Sequence, residues 1–141
     1  MIFNTNTLLI SIFLALSMAC AEGAGVRFTC FGSGTVGTEC APFVNDFCNS
    51  LITNIAFRNN QERCYNTPDI KCDFAAFYEF PNVAGNPPAA APSIANCLNT
   101  LDNATAICGG LGGFGNVGGG GFTFTLDPNQ GQCGQIEACG S

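Results

Sequence analysis

Val26, Phe28 and Cys30 alternate with Arg27 and Thr29, a period of two that sends successive side chains to opposite faces, so residues 25–31 are expected to be a strand. The period then changes. Val44, Phe47, Cys48, Leu51, Ile52 and Ile55 recur at helical spacing, with Asn45, Asp46, Asn49, Ser50, Thr53 and Asn54 on the other side, which predicts an amphipathic helix over 44–55 with Pro42 near its first turn. Residues 63–66 and 72–80 read as strands joined through 67–71, and in the second Phe74, Ala76, Tyr78 and Phe80 share a face. Residues 81–92 are dense in Pro and Ala without periodicity and read as an extended surface loop. Ile94, Cys97, Leu98, Leu101, Thr105 and Cys108 then restore the helical spacing, with Ser93 as cap and Gly109-Gly110 as the stop. Residues 121–127 alternate again and lead into a tight turn at 127–131. The sum is an α+β fold, helices packed on a largely antiparallel sheet.

Between the last helix and the last strand, nine of the thirteen residues 109–121 are glycine. A phosphate loop would end in Gly-Lys-Ser/Thr, whereas Gly121 leads into Phe122. The match of residues 110–115 to G-x-G-x-x-G follows a helix and precedes a strand, the reverse of the dinucleotide-binding order. The segment is therefore read as structural, a wide turn or a close backbone approach under a packed aromatic ring.

An uncharged apolar run at 8–16 followed by small residues is the core of a signal peptide, too short to span a bilayer. Cleavage after Ala21 bounds a signal at 1–21 and a single cysteine-rich domain at 22–141; cleavage after Ala19 also satisfies the small-residue rule and keeps Cys20. The mature cysteines, Cys30, Cys40, Cys48, Cys64, Cys72, Cys97, Cys108, Cys133 and Cys139, contain no C-x-x-C and meet no histidine, which disfavours zinc and thioredoxin-type chemistry and favours disulfides. Pairing is open, with one cysteine left single or joined to Cys20. Such a framework belongs to an extracellular, secreted protein.

The basic residues are only Arg27, Arg58, Arg63 and Lys71, against ten acidic ones, for a net charge of -6. Nucleic acid and anionic membranes need clustered Lys and Arg, so neither is an expected partner, and no segment is suited to membrane insertion. Without histidine, triads and imidazole metal ligands are excluded, and no metal or cofactor is expected. A carboxylate pair among Asp69, Asp73, Glu79 and Asp127 would be the remaining catalytic chemistry, for glycosidic hydrolysis, but nothing in the sequence pairs them and no enzyme is expected. Asn103-Ala104-Thr105 is an N-glycosylation acceptor near the end of the second helix.

Taken in order, Cys30-Phe31-Gly32-Ser33-Gly34, a helix bearing Cys48, a second Cys-bearing helix, Gly109-Gly110, an aromatic strand and the run from Asp127 to Cys133 resemble the small secreted cysteine-rich glycan-binding lectins of mushrooms, of the LacdiNAc-binding type. Where that family's last strand is led by Trp, Phe122 or Phe124 stands here. The resemblance implies a disulfide-stapled α/β/α sandwich whose antiparallel sheet extends across a homodimer, and a non-catalytic role toward extracellular glycans or glycoproteins carrying GalNAc or GlcNAc. Sugars bind through an aromatic face and through amides and carboxylates that meet their hydroxyls; Tyr65, Tyr78, Asp127, Asn129, Gln130 and Gln132 have that chemistry. Against it, Tyr78 also fits a core edge, and Asp127 with Asn129 fits turn chemistry. The rival function is a secreted effector or toxin-like protein with a protein target, for which a cysteine-rich scaffold serves equally.

Overall fold

Residues 25–79 and 87–134 are described by the computed structural model. The signal segment, Cys20, Phe80 and Cys139 lie outside them. The strands are β1 (Val26–Cys30), β2 (Asn60–Asn66), β3 (Ile70–Tyr78), β4 (Gly113–Val117) and β5 (Phe122–Gln130); the helices are α1 (Val44–Ser50) and α2 (Ile94–Ile107), with a 3-10 helix, Thr38–Phe43, leading into α1. The five strands make one sheet in the order β1-β4-β5-β3-β2, every neighbouring pair antiparallel.

One parity of the central strands is core. Ile70, Cys72, Phe74, Ala76 and Tyr78 of β3 and Phe122, Phe124 and Leu126 of β5 are buried against Phe47 and Leu51 at α1 and Leu101 and Ala104 of α2. Phe47 and Phe74 pack at 5.1 Å between centroids, and Tyr78 stacks on Phe122 at 4.6 Å. The opposite parity, including Asp73, Ala75, Thr125 and Asp127, is half-buried. Among the described residues both helices serve one face, so the arrangement is a two-layer α+β fold; the second helical layer of a sandwich is not seen there.

Four disulfides cross-link these layers. Cys30–Cys108 joins β1 to the end of α2, Cys40–Cys72 the 3-10 helix to β3, Cys48–Cys97 the two helices, and Cys64–Cys133 the edge strand β2 to the segment after β5. Cys40, Cys48, Cys72 and Cys97 are wholly buried, whereas Cys64 is exposed.

Three local expectations are corrected. The first helix ends at Ser50 rather than Ile55. Its last turn spends carbonyls on side chains, with Ser50 Oγ donating to the Phe47 carbonyl at 2.7 Å and Asn49 Nδ2 to that of Asn45 at 2.8 Å, a competition that favours termination. Ile52 is left 78% exposed, while Ile55 is buried by exchanging backbone hydrogen bonds with Ala90 of the Pro-rich loop. The glycine-rich run is not only a turn, since its centre is strand β4. A Cβ at Gly113 or Gly115 would lie 2.8 or 2.6 Å from the Phe28 ring, so the close-approach part of the reading holds. Finally, Asp127, Pro128, Asn129 and Gln130 continue β5 instead of turning. Their pairing with residues 70–73 overrides local turn preference, and Pro128 falls beyond Leu126, where β4 stops pairing, so β5 has a free flank there.

The second helix follows its signals. Ser93 Oγ accepts from the Asn96 N–H, and Gly109 and Gly110 leave the helix at φ of 58° and 85°. No helix among the described residues is long and apolar enough to cross a membrane.

Candidate functional site

Antiparallel register places side chains directly across from one another, and on the open face β3 and β5 bring together the chain's most polar cluster. Lys71 lies opposite Asn129, Asp73 opposite Asp127, and Ala75 opposite Thr125. Like charges facing across a ladder repel, and here the repulsion is offset at Asp73, whose Oδ2 accepts from Asn129 Nδ2 at 3.1 Å and lies 3.6 Å from Lys71 Nζ. Among the described residues no side chain donates to the Asp127 carboxylate. Glu62, Asp73, Ala75, Thr125 and Asp127 line a hollow of about 360 Å³ open to solvent. A carboxylate acceptor, a half-committed amide and a threonine hydroxyl side by side suit a polyhydroxylated ligand; no group of three or more metal-ligating side chains is assembled among the described residues.

The six residues with sugar-binding chemistry are divided by the fold. Asp127 and Asn129 share the open face. Gln130 is exposed at the end of β5, its Nε2 3.4 Å from Thr35 Oγ1, and Gln132 donates to the Thr67 carbonyl at 3.3 Å. Tyr78 is only 6% exposed, within the aromatic stack. Tyr65 sits on the helix face, stacked on Phe43 at 4.8 Å, with its hydroxyl donating to Asp46 Oδ2 at 2.7 Å.

Burial, and then the hydrogen bond to Asp46, push the Tyr65 phenol up to about 12. The folded state therefore holds this proton when an unfolded phenol, at 10.0, has lost it, and the contribution to stability, complete below pH 10.0, is lost as pH rises through about 12. Since the chain has two tyrosines, a tyrosinate absorbance titration should show a late step that Tyr65→Phe removes.

Of the four carboxylates weighed for hydrolysis, only Asp73 and Asp127 are paired. Asp69 is in the β2–β3 turn, and Glu79 accepts from Thr123 Oγ1. Asn103 projects from α2 half-buried, its Nδ2 donating to the Asn99 carbonyl at 2.6 Å.

A family model described as Glycan binding domain Y3 matches residues 39–133, from the 3-10 helix to the last cysteine of the described chain. The chain belongs to that family. It is also 41% identical over 96 residues to "Antiviral protein CAP" of Coprinus comatus, covering 67% of this chain and 90% of the relative. The mushroom-lectin resemblance read from the cysteine and glycine pattern is thereby established, and the chain is a member of a carbohydrate-binding family.

The glycan binding domain Y3 match includes β4, whose exposed side chains sequence reading passed over as interruptions of a glycine run. Gly113-Phe114-Gly115-Asn116-Val117 does alternate, and that alternation was the available signal: Phe114 and Asn116 share the open face, Phe114 at 42% exposure. Phe122 and Phe124, standing where a Trp was expected to lead the strand, are core residues at 7% and 1% exposure.

Proposed function

We propose that this protein is a secreted, non-catalytic lectin that binds GalNAc- or GlcNAc-bearing glycans on the open face of its sheet. The observation that carries the reading is the juxtaposition of Asp73, Asp127 and Asn129 on that face, with Asp127 uncommitted to any donor among the described residues. Sugar hydroxyls donate to such carboxylates, and a preformed rigid sheet keeps the ordering cost of binding low. Membership of a glycan-binding family supports the ligand class, and four disulfides support export to an oxidising compartment. Strands β1 and β2 are the two free edges through which a second copy would extend the sheet into a dimer.

A glycan array tests the proposal. Saturable binding to N-acetylhexosamine-bearing structures is expected, and Asp127→Ala should weaken it by about tenfold, as loss of a charge-assisted hydrogen bond would, with an unchanged melting temperature. A blank array overturns the lectin reading and favours a protein target of the effector type. Release of reducing sugar, lost in Asp127→Ala, would instead turn the Asp73–Asp127 pair into hydrolytic machinery.

A further inference from the structure

The open face carries a second hollow, of about 460 Å³, at the β1–β4 side of the sheet. Its rim is Arg27, Thr29, Phe114, Asn116, Thr123 and Glu79. The register explains the gathering: Arg27 pairs with Asn116 and Thr29 with Phe114, while Thr123 Oγ1 donates to Glu79 Oε1 and draws that carboxylate to the same end. Three features of these side chains are unexplained by folding. Arg27 has no ion pair or hydrogen bond among the described residues, although Arg58 lies over Phe57, Arg63 donates to a carbonyl and Lys71 pairs with Asp73. Phe114 is the most exposed aromatic among the large hydrophobics, held at one side by Phe31 at 6.0 Å. Glu79 keeps one carboxylate oxygen free of any donor.

We infer that this hollow is a second sugar subsite that recognises the acetamido group of an N-acetylated residue. This rests on the lectin reading and deepens it. An acetamido group presents a methyl, a carbonyl acceptor and an N–H donor on one plane, and the hollow offers an exposed aromatic ring, two amide-or-guanidinium donors and a carboxylate acceptor around one depression. The methyl packs on Phe114, the carbonyl accepts from Arg27 or Asn116, and the N–H donates to Glu79. Charge selects this occupant over an anionic sugar: the carboxylate of Glu79 lies in the same hollow as Arg27, and the protein's net charge of -6 repels anions. Both hollows border the same row of β5, and from Asp127 to Thr123 is four residues, about 13 Å of strand. A ligand that fills both is an oligosaccharide running along β5.

The test prints wild type, Phe114→Ala, Arg27→Gln and Asp127→Ala against N-acetylated oligosaccharides, chitotriose among them, and against counterparts with hydroxyl in place of acetamido, such as cellotriose. Wild type is expected to prefer the N-acetylated member of each pair by about tenfold or more, and Phe114→Ala and Arg27→Gln to lose most of that preference. Asp127→Ala should weaken both members together. Retained preference in the Phe114 and Arg27 variants, or no preference in wild type, overturns the subsite and leaves the lectin standing, whereas no binding by wild type overturns both. Should Phe114→Ala melt early, Arg27→Gln decides alone, since its side chain holds nothing in the fold.

Discussion

Replacing Cys48 and Cys97 together by alanine is expected to cost the fold about 4 kcal/mol, the chain-entropy value for a loop of this length, before any cavity term. The pair closes a separation of 49 residues and joins α1 to α2 where both sulfurs are wholly buried. A domain of this kind has about 5 to 15 kcal/mol in total, so one bridge is a large share of it. α1 is only seven residues long, too short to persist without tertiary support, and its attachment to the rest of the helical layer runs through this bridge and Phe47. Thermal unfolding of the double variant should show a melting temperature lower by roughly 15 °C or more. A drop of only a few degrees would mean that hydrophobic packing alone holds the helical layer. Reductant distinguishes the bridges by another route. Cys64–Cys133, with Cys64 exposed, should open in the folded state, and Cys48–Cys97 only when the molecule unfolds; mass spectrometry of trapped thiols reads the order.

What was legible in the sequence was whatever local period alone decides. β1, β3, α2 with its Ser93 cap, and the disulfide-stapled α+β class follow from alternation, helical spacing and cysteine count. Elements decided by a distant partner were not legible. Ile55 fits the helical stripe of α1, yet it is buried through a bridge to Ala90, thirty-five residues away, and no window around Ile55 contains that partner. Residues 127–130 have turn composition, and only pairing with residues 70–73 makes them strand. The candidate site shares this character. Asp127 and Asn129 can be named from residue type, but their meeting with Asp73 depends on the β3–β5 register, and Arg27 and Phe114 are brought together by strands more than eighty residues apart. Tyr65 and Tyr78 show the converse: an aromatic with a hydroxyl looks the same in sequence whether it faces a ligand or a core.

The glycine-rich strand gives the sharpest test of how sequence specifies this sheet. By propensity, valine at position 115 should strengthen β4. The opposite is expected, because a Cβ there would lie 2.3 Å from the Arg27 carbonyl oxygen and 2.6 Å from Cδ2 of Phe28. The carbonyl belongs to the β1 backbone and cannot swing aside as a side chain would, so β1 must separate from β4. Gly115→Val should therefore destabilise by about 3 kcal/mol or more, at the upper end of overpacking effects, and even Gly115→Ala should lose stability although it removes unfolded-state freedom that alone would favour folding by about 0.4 to 1 kcal/mol. A second variant separates the two contacts. If the ring were the sole obstacle, Phe28→Ala would make Gly115→Ala harmless in a double-mutant cycle; because the Arg27 carbonyl remains, most of the penalty should persist. Denaturant midpoints of the four proteins give the coupling, and full rescue by Phe28→Ala would show that glycine is required here for the aromatic ring and not for the approach of the two backbones.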